Sequence, residues 1–65
     1  MNKLKDLVNK FSYNIEFDAE DNIYIARCAE LSSLAAHGKT QEGALKEIKV
    51  VALETLKWMK EDRKS

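Results

Sequence analysis

The segment from Thr40 to Glu61 constrains the fold of this chain most strongly, because its apolar side chains recur with a helical period along its whole length. At about 100° per residue, one continuous arc holds the side chains of Ala44, Leu45, Ile48, Val51, Ala52, Thr55, Leu56, Trp58 and Met59. The opposite arc holds Lys46, Glu47, Lys49, Glu54, Lys57 and Lys60. This pattern predicts an amphipathic helix over 40–61 that must pack against another apolar surface.

The start of this helix carries its own sequence signals. The hydroxyl of Thr40 is suited to accept a hydrogen bond from an amide of the first turn, so Thr40 is the expected N-cap. Glu42 places a negative charge near the positive end of the helix dipole. Gly38 precedes the cap and is expected to let the chain turn sharply into the helix.

The length of the chain limits the core that it can build. The sequence has 65 residues, which predicts a single domain over 1–65 that buries only about 60% of its unfolded surface. Cys28 is the only cysteine and His37 the only histidine, so we expect no internal disulfide, no metal site and no cofactor. Because such cores supply only roughly 3–5 kcal/mol, we expect a homo-oligomer (a dimer or a tetramer) or a complex with a partner.

Charge and hydropathy exclude several functional classes. The 11 basic and 11 acidic residues balance, whereas a nucleic-acid-binding domain normally shows a basic surface, so direct nucleic-acid binding is not expected. No apolar run approaches the roughly 20 residues of a membrane span, and polar residues interrupt the N-terminus where a secretory signal would be apolar. With one unpaired cysteine, these features favour a cytoplasmic protein.

The remaining elements precede the long helix. Residues 1–11 show a short helical stripe, so this segment is either a helix that docks on the domain or an N-terminal tail. Alternating residues predict strands at 13–17 and 23–28, joined by the polar turn 18–22, and the apolar residues 34–37 predict a third strand. The sheet is expected within 13–38, which gives an α+β fold: a two-layer sandwich of a three-stranded antiparallel sheet and one long C-terminal helix.

The second strand is apolar on both faces. Ile23 and Ile25 point to one side, and Tyr24, Ala26 and Cys28 point to the other. Such a strand is central in its sheet, or its second face meets a partner. Since the long helix covers one face, either the N-terminal helix or another subunit is expected to cover the second.

Candidate interface residues follow from these patterns. Val50 and Leu53 fall on the charged side of the long helix, and Trp58 lies at the margin of its apolar arc. These three side chains either mark a contact surface or are ordinary scattered apolar residues. The candidates for a partner or oligomer interface are Ile23, Ile25, Arg27, Val50, Leu53 and Trp58.

No catalytic site is predicted. His37 has no nucleophile with an orienting group near it in sequence, so we interpret it as a residue of the turn or of the strand end. Cys28 fits core packing better than a reactive thiol. The acidic residues Asp18, Glu20 and Asp21 lack the spacing of a calcium loop and fit a solvated turn.

From Tyr13 to about Met59 the chain resembles the N-terminal domain of HicB-type antitoxins. The shared pattern is a strand, an acidic turn, the strand IYIA, a connection centred on a leucine, and a strand of small residues that runs into G-x-T-x-E and a helix. The residues that match the family motif are Leu31, Gly38, Thr40, Glu42 and Ala44. The residues that depart from it are Ala29, Ser32, Ser33 and Leu34 in place of Pro, Pro, Gly and Cys, Lys39 in place of Asp, and Gly43 in place of a second Glu.

This resemblance implies a partial ribonuclease H-like fold without catalysis, because no set of strand-borne carboxylates for two metals is present. It implies an oligomeric antitoxin that binds and occludes a small HicA-type toxin, which cleaves mRNA. The family's C-terminal DNA-binding domain has no counterpart in the 65 residues, so operator binding is not expected. The alternative is a solitary, self-associating structural or adaptor domain without a toxin partner.

Overall fold

A computed structural model describes the backbone of residues 3–64 and the side chains of residues 3–59. The elements in chain order are α1 (Lys3–Lys10), β1 (Tyr13–Asp18), β2 (Ile23–Cys28), β3 (Ala35–Gly38) and α2 (Gln41–Lys64). The α+β fold class, the three-stranded sheet, the short N-terminal helix and the long C-terminal helix are therefore confirmed. The strand predicted at 34–37 begins and ends one residue later, and Leu34 instead packs against the core.

The sheet is antiparallel, with β2 between the other two strands. Tyr13 of β1 lies opposite Cys28 of β2, and Asp18 lies opposite Ile23, so the β1–β2 hairpin is regular over its whole length. In its turn, Asn22 adopts a φ of 59°, a left-handed conformation that asparagine tolerates better than most residues. The prediction of a central second strand is confirmed.

One face of the sheet packs against α2. The buried cluster between the two layers consists of Ala26 and Cys28 from β2 with Ala44 and Ile48 from α2. Partly buried apolar residues surround it: Phe11, Tyr13, Ile15, Tyr24, Leu31, Leu34, Ala36 and Leu45. The first part of the predicted apolar arc, at Ala44, Leu45 and Ile48, thus faces the sheet. Trp58 and Met59, at the end of the same arc, are 68% and 46% exposed.

The helix α1 packs along α2 and meets the sheet through a hydrogen bond to Tyr13 of β1. Val8 is only 3% exposed, and its carbonyl accepts hydrogen bonds from the Tyr13 hydroxyl and from the Phe11 amide. Val50 and Leu53 of α2 line a groove along this helix pair. The sequence left two candidates to cover the second face of β2, the N-terminal helix and another subunit. The prediction of the N-terminal helix is wrong, because α1 packs along α2 instead.

The start of α2 depends on a close approach between backbone segments. The Thr40 hydroxyl accepts a hydrogen bond of 2.9 Å from the Gly43 amide, which confirms Thr40 as the N-cap. A Cβ atom on Gly38 would lie 2.7 Å from the Ala44 backbone nitrogen. No glycine has a positive φ, and the structure describes both glycines of the chain. Backbone freedom is therefore not what requires a glycine at Gly38. Space, and not a left-handed turn, requires a glycine there.

The substitution Gly38→Ala is expected to destabilise the fold by about 1–3 kcal/mol, because backbone atoms must move to admit the new methyl group. The matched variant is Gly43→Ala, whose Cβ would meet only the Thr40 side-chain oxygen, at 3.1 Å. This variant also gains up to about 1 kcal/mol of helix propensity. Urea unfolding followed by circular dichroism measures both free energies. Equal stability of Gly38→Ala and the wild type would contradict the close approach.

Candidate functional site

The second face of the sheet carries the strongest candidate site. Alternation along each strand places on this face, here called the open face, the side chains of Asn14, Glu16, Asp18, Ile23, Ile25, Arg27, Ala35 and His37. Among the described residues, no helix packs on the open face, since α2 lies across the other face and α1 packs along α2. This face is therefore a surface of strand side chains with no helix packed over it.

The open face is apolar at its centre and charged around it. Ile25 lies between Glu16 of β1 and His37 of β3 in one cross-strand row, and Ile23 lies opposite Asp18. Both isoleucines are half-buried, whereas Glu16 and His37 are exposed. An apolar centre with a polar rim is the usual anatomy of a surface that binds another protein.

The structure divides the predicted interface residues into two groups. Ile23, Ile25 and Arg27 lie together on the open face. The other three candidates lie on α2, on the opposite side of the sheet. Val50 and Leu53 line the groove beside α1, and Trp58 is 68% exposed near the end of the described side chains. A single binding surface cannot include both groups.

The acidic residues gather at one end of the hairpin. Glu16 and Asp18 belong to the open face, and Glu20 and Asp21 follow in the turn. The Asp18 carboxylate accepts a hydrogen bond of 3.0 Å from the Glu20 amide, so it caps the turn. Within the described part of the chain, no group of three or more histidine, cysteine, aspartate or glutamate side chains is arranged to hold a metal ion.

The residues considered for catalysis are placed apart. His37 is exposed on the open face and is separated from Glu16 by Ile25. Cys28 is 1% exposed on the opposite face, in the core, so its thiol is closed to a substrate. The two side chains considered for catalysis therefore lie on different faces of the sheet.

A polar cluster that the sequence did not indicate closes the end of the sheet near α1. The Glu30 carboxylate accepts a hydrogen bond of 2.9 Å from the Ser12 amide, and the Cys28 sulfur lies 3.8 Å from the same oxygen. Burial raises the pKa of Tyr13, with smaller contributions from Cys28 and Glu30. Lys49 of α2 lies 5.8 Å from the centre of the Tyr13 ring. These contacts attach the hairpin to both helices and are structural.

Comparisons of this chain with protein-family models, with curated proteins and with solved structures found no match. The resemblance to HicB-type antitoxins therefore stays a prediction. None of the described helices combines the length and apolarity that a membrane crossing requires.

The raised pKa of Tyr13 predicts a pH effect on stability. The folded state holds the phenol proton more tightly than the unfolded state, so this contribution is fully present below the ordinary pKa of 10.0. It is lost as the pH rises through the raised value. Subtracting the 295 nm titration of Tyr13→Phe from that of the wild type isolates this phenol. A midpoint at or below the value found in denaturant would contradict its burial.

Proposed function

We propose that this chain is a non-catalytic protein-binding module of the HicB type, an antitoxin that binds and occludes a small HicA-type mRNA-cleaving toxin. The observation that carries the proposal is the open face, where Ile23 and Ile25 of the central strand are half-buried with no helix packed over them. The pattern shared with HicB-type antitoxins supports it independently. On this proposal the protein acts in the cytoplasm, where its partner meets mRNA.

The shape and apolarity of the open face suit a protein partner. The half-buried isoleucines are adjacent on β2, and their neighbours across the strands are mostly polar. A folded partner that covers them removes apolar surface from water and leaves the rim charges at the border of the interface. Small-molecule ligands need concave sites, and the grooves described for this structure are lined by α1 and α2 and not by the open face.

The charges of the hairpin favour a basic partner. Glu16 and Asp18 on the open face continue into Glu20 and Asp21 of the turn, which makes one end of this face acidic. A ribonuclease binds RNA phosphates with basic residues. A carboxylate-bearing face is complementary to that basic surface and competes with RNA for it.

The alternative is a solitary self-associating domain whose open face meets the open face of a second copy. The observation that favours it is the mixed charge of this face, since Arg27 lies beside Asn14 and Ala35 while the carboxylates lie further along β1. Two such faces can align with opposite charges in contact. This arrangement predicts an oligomer that forms without any toxin.

The direct experiment uses the protein encoded by the adjacent reading frame as the probe. The antitoxin proposal expects co-purification of the two proteins and restoration of growth when this chain is expressed with that protein. Salt should weaken the complex, because part of the attraction is electrostatic. Absence of both binding and rescue would reject the antitoxin function.

The substitution Ile25→Lys tests the open face. We expect it to weaken toxin binding at least about tenfold, equivalent to about 1.4 kcal/mol, because it places a charge in the apolar centre and repels a basic partner. The matched control is Leu7→Lys, which changes an apolar side chain that is 44% exposed on α1. Titration calorimetry measures both affinities. Equal weakening by the two substitutions would locate the binding surface elsewhere.

A further inference from the structure

The outer edge of β1 is unpaired. The strand order places β1 and β3 at the two edges of the sheet. Within the described residues, the outward backbone groups of β1 make no hydrogen bond outside the sheet. A free edge of this kind is a template for another strand.

The pairing pattern fixes which backbone groups point outward. The Ala29 amide donates to the Ser12 carbonyl at 2.9 Å, so these two residues form a hydrogen-bonded pair. Hydrogen-bonded and non-hydrogen-bonded pairs alternate along an antiparallel ladder. Residues 14, 16 and 18 therefore bond to β2, and the amides and carbonyls of residues 13, 15 and 17 point away from the sheet.

The β1 edge lacks most of the usual features that prevent strand addition, and its two charged residues, Glu16 and Asp18, both lie on the open face. It spans six residues, YNIEFD, with no lysine and no proline, and its pairing with β2 contains no bulge. The other edge strand, β3, has only four residues. Short edges, lysines, prolines and bulges are the common protections, so β1 is the reactive edge.

We infer that β1 pairs with β1 of a second copy of this chain, antiparallel and with Ile15 opposite Ile15 on the two-fold axis. Tyr13 then lies opposite Phe17 of the other copy, so all the outward amides and carbonyls of residues 13, 15 and 17 are paired. A shift of the register in either direction along the strand leaves one of these residues without a hydrogen-bonding partner in the other copy. One such shift also places Glu16 opposite its own copy, which is unfavourable between like charges.

The side chains fit this register on both faces. Phe17 is 52% exposed, with its ring 5.0 Å from that of Tyr24, because α2 lies across β2 and β3 and covers little of β1. In the pair, Tyr13 of the second copy covers Phe17, and aromatic cross-strand pairs stabilise sheets. The two-fold axis keeps both α2 helices on one side of a continuous six-stranded sheet.

On the open face the register brings opposite charges together. Glu16 lies opposite Asn14 of the second copy, and Asn14 is itself paired with Arg27 in the structure. The Glu16 carboxylate and the Arg27 guanidinium of different copies are then two strands apart, about 10 Å at the usual strand spacing. The long side chains of Glu16 and Arg27 can extend toward each other past the smaller Asn14. This inference does not depend on the proposed function, since it uses the sheet edge and leaves the isoleucines of the open face uncovered.

Disulfide cross-linking of the full chain tests the register. Residues 14 and 16 of different copies would form a non-hydrogen-bonded pair with Cα atoms about 4.5 Å apart, within disulfide range. We expect a mixture of Asn14→Cys and Glu16→Cys to form a 14–16 heterodimer on oxidation. The control mixture of Asn14→Cys and Ser33→Cys should not cross-link, because Ser33 lies in the exposed connection after β2. Equal cross-linking of both mixtures would overturn the register.

Sedimentation equilibrium tests the dimer itself. We expect Phe17→Lys to raise the dimer dissociation constant at least about tenfold, because it introduces a lysine at the edge while the exposed position leaves the monomer folded. The matched control is Leu7→Lys, at a position that is 44% exposed on α1, and it should leave the constant unchanged. Circular dichroism melts establish that both variants fold. A wild-type monomer at about 1 mM, or a dimer lost with Ile25→Lys but kept with Phe17→Lys, would overturn the inference.

Discussion

A single helix covers about two strands of a sheet, and this limit determines which surfaces of the protein remain exposed. An α-helix with its side chains is about 10 Å wide, and neighbouring strands lie about 4.8 Å apart. The helix α2 therefore lies across β2 and β3 and covers little of β1. The uncovered part includes Phe17 on the helix side, the outer edge of β1 and the whole open face.

The contact between α2 and the sheet is close because small residues line it. Ala26 and Ala44 are fully buried beside Ile48 and Cys28, and Gly38 leaves room for the first turn of α2. Small side chains permit this approach, but each removes less apolar surface from water than a leucine or phenylalanine. The contact is consequently well packed without being large, and α1 adds a second contact through Val8.

The sequence was sufficient to predict the features that depend on local pattern. The strands at 13–17 and 23–28, the cap at Thr40 and the sheet-facing residues at the start of the long helix all follow from period, turn chemistry and capping, and the structure contains them. The position of α1 could not be predicted from the sequence, because Val50 and Leu53 looked like isolated apolar residues on the charged side of the long helix. Only the tertiary structure shows that they line a groove beside α1, together with Val8 and several polar side chains.

The candidate site was predictable only where it depends on local sequence pattern. The two-sided pattern of β2 indicated a second apolar face with Ile23, Ile25 and Arg27, and the register places these side chains together. The sequence could not show that Phe17 is uncovered, since its alternation with Glu16 is that of an ordinary half-buried strand. The exposure of Phe17 depends on where α2 crosses the sheet.

The two exposed surfaces offer different kinds of interaction. The open face presents side chains, so its affinity depends on apolar burial and charge complementarity with a partner. The β1 edge presents backbone amides and carbonyls, so its pairing depends on register and on a strand of compatible length. Because Ile25 is one strand away from that edge, with Glu16 between them, pairing at the edge joins two open faces without covering either. A dimer formed in this way would hold two binding faces side by side, and a partner that contacts both would bind with a higher effective concentration than one face provides.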